Sequence, residues 1–144
     1  MAVFRTQHLG DVEYGEESIV EFAGGIPAFP QATSFILIEP PEMSPLLFLQ
    51  CLSEPALCFL TIPVECLDRD YRLTVMNEEL EALGPGEDLL RLAILTVAEG
   101  KPPTANMMSP VVINRGTRRG RQMIQLSADY SFTQPLEPSE EAPC

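Results

Sequence analysis

The sequence lacks tryptophan and has a single histidine, His8, among its 144 residues. Because histidine is the most frequent general base of hydrolytic enzymes, this scarcity argues against catalysis, and we interpret His8 as a surface or strand-edge residue. Basic residues are also few, nine against twenty-one acidic ones, which gives a formal charge of −12. Such a chain repels phosphate backbones, so direct nucleic-acid binding is not expected and a basic protein partner is favoured.

Long apolar runs and metal-binding cysteine patterns are missing as well. The apolar run 56–64 is too short to cross a bilayer, and the sequence begins without a secretory signal pattern, so we expect a cytoplasmic protein with no membrane contact. The spacing of the four cysteines matches no zinc site or redox pair. Cys51 and Cys58 flank a turn where a disulfide is geometrically conceivable, although reduced thiols are favoured in the cytoplasm.

Recognisable ligand motifs are also lacking, and no cofactor or metal is expected. The glycine patterns of nucleotide-binding loops do not occur. Glu65, Asp68 and Asp70 could in principle form a metal or acid/base site, but the glycine and distal glutamate of a calcium loop are missing. A solvated acidic loop is therefore the favoured interpretation.

What the sequence does contain is a regular supply of short apolar segments between fourteen prolines and nine glycines. Alternating or continuous apolar residues predict nine short strands, at 3–6, 17–22, 34–38, 46–51, 56–61, 71–75, 91–97, 111–113 and 123–126. One short helix is predicted near 77–83, with Asn77 as its N-cap and acidic residues in its first turn. This pattern predicts an all-β fold, a small antiparallel β-barrel-like domain of eight or nine strands at 1–136. The acidic segment 137–144 is expected to form a flexible C-terminal tail.

The segment 105–125 is predicted to form a hairpin around which the rest of the chain is organised. Its loop gathers Arg115, Arg118, Arg119 and Arg121, four of the nine basic residues. The loop could hold an isolated phosphate, but a solubilising hairpin tip is the favoured interpretation. Because neighbouring strand residues face opposite sides, one residue of the pair Met107 and Met108 is expected to be exposed, where a methionine suits adaptable protein contacts.

Two further predictions concern packing and backbone hydrogen bonds. Large apolar residues in or beside the predicted strands are expected to form the core: Ile26, Phe29, Phe35, Phe48 and Phe59. The side chains of Asn106 and Asn114 are expected to bond backbone groups near Pro110, which lacks an N–H.

Two motifs and a set of single landmarks characterise the chain: "GIPxF" at 25–29, "ANxxxPxxIN" at 105–114, and Phe22, Phe35, Leu37, Phe48, Leu49, Gln50, Cys51, Phe59, Pro63, Tyr71, Gly120, Gln122 and Tyr130. In these features the chain resembles the FliW family of flagellar assembly factors. The resemblance covers about 6–136. Thr133 stands where family members commonly carry arginine, and Cys51 where serine is usual, so the contacts of those positions are not carried over.

The resemblance implies a compact β-barrel without enzymatic activity that acts as a partner switch. Such proteins bind flagellin and, when free, bind the translational regulator CsrA and stop it repressing flagellin mRNA. The charge of −12 is compatible with a basic RNA-binding partner. Composition alone names neither partner.

Charge and expected exposure select the residues for partner binding. The candidates are Gln50, Glu65, Asp68, Asp70, Asn106 and Met108. Two alternatives remain at this point: a small-ligand-binding barrel, and a structural subunit that works as a homo-oligomer.

Overall fold

A computed structural model describes residues 2–5, 10–127 and 129–136. The predictions for His8 and the tail 137–144 concern positions outside these ranges. The described chain is mostly β, as predicted, with one short helix, α1, at Asn77–Glu81. Its strands are β1 Ala2–Arg5, β2 Asp11–Tyr14, β3 Ile19–Glu21, β4 Ser34–Ile38, β5 Leu47–Cys51, β6 Cys58–Pro63, β7 Leu89–Thr96, β8 Thr104–Asn114, β9 Arg119–Gln122 and β10 Gln134–Pro135.

Seven of the strands close into a barrel. Strands β3 to β9 pair in the order β3-β4-β5-β6-β7-β8-β9, and β9 returns to β3. The closing contact is the one parallel pairing described, between Glu21 and Arg119. It is reinforced by the bond from the Glu21 N–H to the Arg118 carbonyl at 2.9 Å. Because the barrel is closed, each of its seven strands has a paired neighbour on both sides.

The barrel interior is filled by apolar side chains that alternate along each strand. On β5, Leu47, Leu49 and Cys51 face the interior, where Leu49 and Cys51 are fully buried. Phe22 also lies there, and Gly120 on β9 passes directly over its ring. A Cβ atom at Gly120 would lie 2.6 Å from Phe22 Cζ, so this crossing needs glycine. The interior is a packed core rather than a lumen.

Two of the five core predictions are wrong. Ile26 and Phe35 are buried as predicted, and Phe59 is partly buried against the same cluster. Phe48 is only half-buried, because Leu49 takes the interior position on β5 and its neighbour must face outward. Phe29 is 44% exposed because it follows a tight turn and rests edge-on against Phe59, with ring centroids 6.2 Å apart.

The structure also corrects three element predictions. Residues 71–75 are extended and alternate as predicted, yet they form no strand, because the Thr74 N–H bonds the Gln125 side chain instead of a neighbouring backbone. The N-cap of α1 is Met76, and Asn77 makes no side-chain capping bond. The third difference is the strand β2 at Asp11–Tyr14, where no strand was predicted.

The predicted hairpin exists, although its returning strand begins inside the predicted loop. Strand β9 starts at Arg119 and pairs with β8 from Val111 to Asn114. Residues 123–125 continue alongside β8 without forming regular strand, through bonds from the Met123 N–H to the Pro110 carbonyl (2.9 Å) and from the Gln125 N–H to the Met108 carbonyl (2.8 Å).

A wide bulge interrupts β8 at its centre. Asn106 pairs with Ile94 and Val111 with Leu92, so residues 107–110 of β8 lie opposite Ala93 alone. Because the inserted length changes the alternation, Val111 and Ile113 face the barrel interior, whereas Ala105 and Met107 pack in a second cluster. The bulge therefore turns the first half of β8 toward the second cluster, which contains Tyr71.

Candidate protein-binding surface

Tyr71 lies at the centre of the region that holds most of the predicted partner-binding residues. Its ring is buried and packs against Tyr130, with centroids 4.4 Å apart. Its hydroxyl donates to the Met107 carbonyl in the β8 bulge at 2.6 Å. Burial is the main cause that raises the pKa of Tyr71 to about 12. The hydroxyl therefore stays a neutral donor at physiological pH and ties the acidic loop to the bulge.

Arg91 connects Tyr71 with Glu65. Its Nη1 donates to the Tyr71 carbonyl at 3.2 Å, and its guanidinium lies 5.7 Å from the centre of the Tyr71 ring. Its Nη2 lies 3.7 Å from Glu65 Oε2, an ion pair that is too long for a hydrogen bond. The charge of Glu65 is therefore partly offset by Arg91, and its side chain is 43% exposed.

Asp68 and Asp70 belong to one turn that faces solvent. Asp68 Oδ1 accepts a bond from the Asp70 N–H at 2.9 Å, an arrangement that fixes the local backbone. Asp68 is half-buried and Asp70 is exposed. The two carboxylates thus present a pre-shaped acidic corner beside Tyr71.

Asn106 holds the bulge, and the bulge sets the exposure of the two methionines. Asn106 Oδ1 accepts bonds from the N–H groups of Met108 (3.2 Å) and Ser109 (2.9 Å). Met107 is 2% exposed, whereas Met108 is partly exposed. The expectation that the pair would divide between the two sides is confirmed. Asn106 also bonds backbone groups as predicted, at 108 and 109, directly before Pro110.

Gln50 stands apart from these residues. It is fully buried, and its Nε2 reaches the carbonyls of Cys51 (2.9 Å), Pro55 (3.2 Å) and Leu57 (3.3 Å). Its amide therefore braces the turn between β5 and β6. In the described part of the chain, no hydrogen bond or ion pair joins Gln50 to the acidic loop or the bulge. Glu65, Asp68, Asp70, Asn106 and Met108 are brought together around Tyr71; Gln50 is not.

The arginines of the β8–β9 loop do not form a single cationic surface. Arg115 lies 3.6 Å from Asp88, and Arg121 lies 3.6 Å from Glu79. Arg118 donates through Nη1 to the Glu16 carbonyl at 2.7 Å. Each of these guanidinium groups contacts a different segment, so the loop ties neighbouring segments to the barrel.

Cys51 and Cys58 are both free thiols. Cys51 faces the barrel interior, whereas Cys58 lies on β6 opposite Gln50, whose side chain points outward. The two sulfur atoms therefore occupy opposite sides of the sheet, which explains why the conceivable disulfide does not form. Burial raises the pKa of Cys58 to about 11.

A groove lies over the barrel end and has a volume of about 460 Å³. Its walls are mainly apolar, and only Gln31 and Glu54 contribute polar side chains. The lining residues are Ala28, Phe29, Pro30, Gln31, Ala32, Glu54, Ala56 and Leu57. In the described ranges, no three histidine, cysteine or acidic side chains cluster as a metal site would need. The described residues likewise include no helix long and apolar enough to span a membrane.

Three contributors to this region were missed by sequence reasoning. Arg91 looked like one charged residue in an apolar strand, and Tyr130 had no assigned contact, although its hydroxyl accepts the Arg72 N–H at 2.8 Å. Gln125 is 1% exposed and bonds the backbone at Thr74 and Arg72. The sequence signals were that Arg91 and Gln125 are polar residues among apolar neighbours and that Tyr130 is a landmark of the family resemblance.

Comparison with known proteins gives consistent results across nearly the whole chain. A family model described as "FliW protein" matches residues 3–136. The chain is 37% identical over 131 residues to the flagellar assembly factor FliW of Syntrophomonas wolfei, covering 89% of this chain and 84% of that protein. It is 36% identical over 140 residues to the FliW of Geobacillus kaustophilus, covering 95% and 96%.

A solved structure agrees with the fold. The chain superposes on a crystal structure of the flagellar assembly factor FliW with a TM-score of 0.85 at 32% sequence identity. The match covers 96% of this chain and 99% of that one. Likeness in sequence and in fold thus extends over the same residues.

Proposed function

The chain belongs to the FliW family of flagellar assembly factors, and from this premise we propose that it works as a non-enzymatic partner switch in the cytoplasm. It binds flagellin, and when free it binds a CsrA-type translational regulator and antagonises it. Repression of flagellin mRNA is then relieved only while the unbound protein is available. In this way flagellin synthesis is coupled to flagellin consumption.

The observation that carries the proposal is the family match over residues 3–136. The physical properties of the chain support it from a second direction. In the part of the chain that the structure describes, the barrel interior is filled with apolar side chains. The charge of −12 favours a basic protein as partner and opposes simultaneous approach of RNA.

We assign partner contact to the residues around Tyr71. Asp68, Asp70 and Glu65 supply negative charge, and Met108 supplies a partly exposed, adaptable apolar group. Asn106 contributes by holding the bulge that positions Met108. Gln50, being fully buried, contributes by bracing the β5–β6 turn rather than by direct contact.

Two rival functions are less well supported. A small-ligand protein would need polar groups converging in a deep pocket, whereas the groove beside Phe29 is open and mainly apolar. A homo-oligomeric subunit would have to bring together surfaces of the same negative sign. Neither direct nucleic-acid binding nor membrane association forms part of the proposed function.

Size-exclusion chromatography of the full chain alone, with flagellin and with the regulator tests the proposal. We expect a monomer that shifts to a one-to-one complex with each partner. A translation assay on flagellin mRNA should then show repression by the regulator, relief by added protein, and restored repression on adding flagellin. Large self-assembly, or a co-purifying metabolite with no binding to either protein, would replace the switch by one of the rival functions.

A further inference from the structure

Three large apolar side chains are exposed next to one another on the outside of the barrel. Met76 is 54% exposed, Ile124 62% and Leu126 63%. We call these three residues the apolar strip. Single exposed apolar residues are ordinary on protein surfaces, but contiguous ones mark contact sites for other molecules.

The backbone contacts place these residues side by side. The Leu126 N–H donates to the Thr74 carbonyl at 2.6 Å, and Arg121 lies 3.6 Å from Glu79. Segment 74–76 therefore runs antiparallel to 124–126, a register that puts Met76 opposite Ile124, and α1 then brings Glu79 beside Arg121. Their other faces are committed to a separate core, which contains Met123, Leu73 and Val75. The apolar strip is thus the outward face of two segments whose inward faces are packed.

The apolar strip is held in place before any partner arrives. Gln125 accepts a bond from the Thr74 N–H at 2.6 Å and donates to the Arg72 carbonyl at 2.7 Å. Tyr130 accepts the Arg72 N–H. These bonds hold the backbone of both segments in place while their outward side chains stay exposed. Docking of a partner therefore requires little further ordering of the backbone.

The charges around the apolar strip favour a basic partner. Helix α1 begins directly after Met76 and carries Glu78, Glu79 and Glu81, of which Glu79 is paired with Arg121. At the other end, Asp70 and Arg72 lie on the same outward face as Thr74 and Met76, because exposure alternates from 70 to 76. Asp70 and α1 therefore lie at opposite ends of segment 71–76. A second copy of this chain, with a charge of −12, is repelled.

We propose that the apolar strip is the apolar centre of the surface that docks the basic regulator, with α1 receiving a cationic group of that partner. The inference rests on the proposed function and extends it, since the acidic corner at Asp68 and Asp70 then forms one rim of a larger surface. An apolar centre with a charged rim is the usual anatomy of a specific protein interface.

The double variant Ile124→Ser, Leu126→Ser tests the apolar strip. Both side chains point into solvent, so the melting temperature should stay near that of the parent chain. Titration calorimetry with the purified CsrA-type regulator should show affinity reduced by about tenfold or more. The matched control is Val3→Ser, which removes a side chain of equal exposure (61%) from the separate β1–β2 hairpin and should leave affinity within about twofold.

The outcomes separate this inference from the proposed function. If the parent chain binds neither the regulator nor flagellin, the proposed function and this surface both fall. If the parent chain binds the regulator and the double variant binds it equally well, only the surface is wrong. Loss of flagellin binding alone would assign the strip to the other partner and overturn the inference, as would self-association of the parent chain that the two serines abolish. Glu78→Lys should slow association at low salt; an unchanged rate would remove the role given to α1.

Discussion

Ala28 adopts a backbone conformation that suits glycine better. Its φ is +74°, and it occupies the turn after Pro27 that lets the Phe29 N–H donate to the Ile26 carbonyl at 2.7 Å. A left-handed conformation costs a residue with a side chain about 1–2 kcal/mol, and glycine avoids this cost. Part of the resulting gain in stability is lost, because glycine also increases the conformational entropy of the unfolded chain. Ala28→Gly should therefore raise the free energy of unfolding by about 0.5–1 kcal/mol.

Urea denaturation measures this effect, and Ala82→Gly supplies the matched control. Ala82 is exposed and has a right-handed φ of −62° at the end of α1. Glycine there should lower the free energy of unfolding by about 0.5–1 kcal/mol. If both glycines destabilise alike, the turn at Ala28 is not strained.

Asn114 is the most heavily bonded polar side chain of the described residues. Its Nδ2 reaches the carbonyls of Leu83 (3.1 Å), Gly84 (3.3 Å) and Pro85 (3.0 Å), and its Oδ1 accepts the N–H groups of Gly116 (2.9 Å) and Thr117 (3.1 Å). It is 1% exposed. Asn114→Ala leaves several buried backbone groups unpaired, so we expect a loss of about 3 kcal/mol or more in unfolding free energy.

Asn77→Ala is the comparison for Asn114, measured by the same denaturation. Asn77 is exposed and makes no capping bond in α1, so its removal should change the free energy by less than about 0.5 kcal/mol. A larger loss would mean that Asn77 caps the helix in solution, as the sequence predicted. A loss at Asn114 of the same small size would contradict the bonding described there.

At the scale of elements, the β8 bulge decides which methionine is structural. Met107 packs with Tyr71 and Ala105, whereas Met108 is partly exposed. Met107→Ala should lower the free energy of unfolding by about 2–5 kcal/mol, and Met108→Ala by about 1 kcal/mol or less. In binding assays the order should reverse, with Met108→Ala weakening partner affinity while leaving the fold intact. Equal losses of stability would place both side chains in the core.

The bulge also shows how far sequence reasoning reaches. Short, nearly continuous apolar runs bounded by proline and turn residues located β4 and the β5–β6 hairpin within a residue or two. Alternation identified one buried methionine at 107–108. It could not locate the four-against-one bulge, because the insertion is defined only by pairing with β7.

Long-range bonds account for the remaining errors. Segment 71–75 alternates like a strand but is held by Gln125, which is fifty-one residues away from Thr74 in the chain. The connection between Glu65 and Tyr71 depends in the same way on Arg91, which lies on β7, twenty residues after Tyr71. Candidate residues at 65–70 and 106–108 were chosen separately by charge and by expected exposure, and only the fold brings them together around Tyr71.

At the scale of the whole molecule, the effect of the net negative charge on association has to be distinguished from the effect of the local carboxylates of Asp68 and Asp70. A net charge of −12 attracts any basic partner from a distance and speeds association, most strongly at low salt. Asp68 and Asp70 are a small share of the twenty-one acidic residues, and Arg91 offsets part of the charge of Glu65 nearby. Steering by the whole surface and contact at the corner therefore make different predictions.

Replacing Asp68 and Asp70 with lysine distinguishes them. Each replacement changes the charge by two, so the net charge moves from −12 to −8. The pair Glu39→Lys, Glu42→Lys makes the same change at exposed positions near the 3₁₀ turn Pro41–Met43, which no hydrogen bond or ion pair of the described residues joins to Tyr71. In stopped-flow measurements with the basic regulator, the remote pair should slow association only as far as the global field is reduced. The corner pair should slow it by about tenfold at low ionic strength, flatten the salt dependence and also speed dissociation, because it reverses charges inside the contact. Equal rates for the two double variants would show that only the global charge matters, and Asp68 and Asp70 would then have to be removed from the proposed surface.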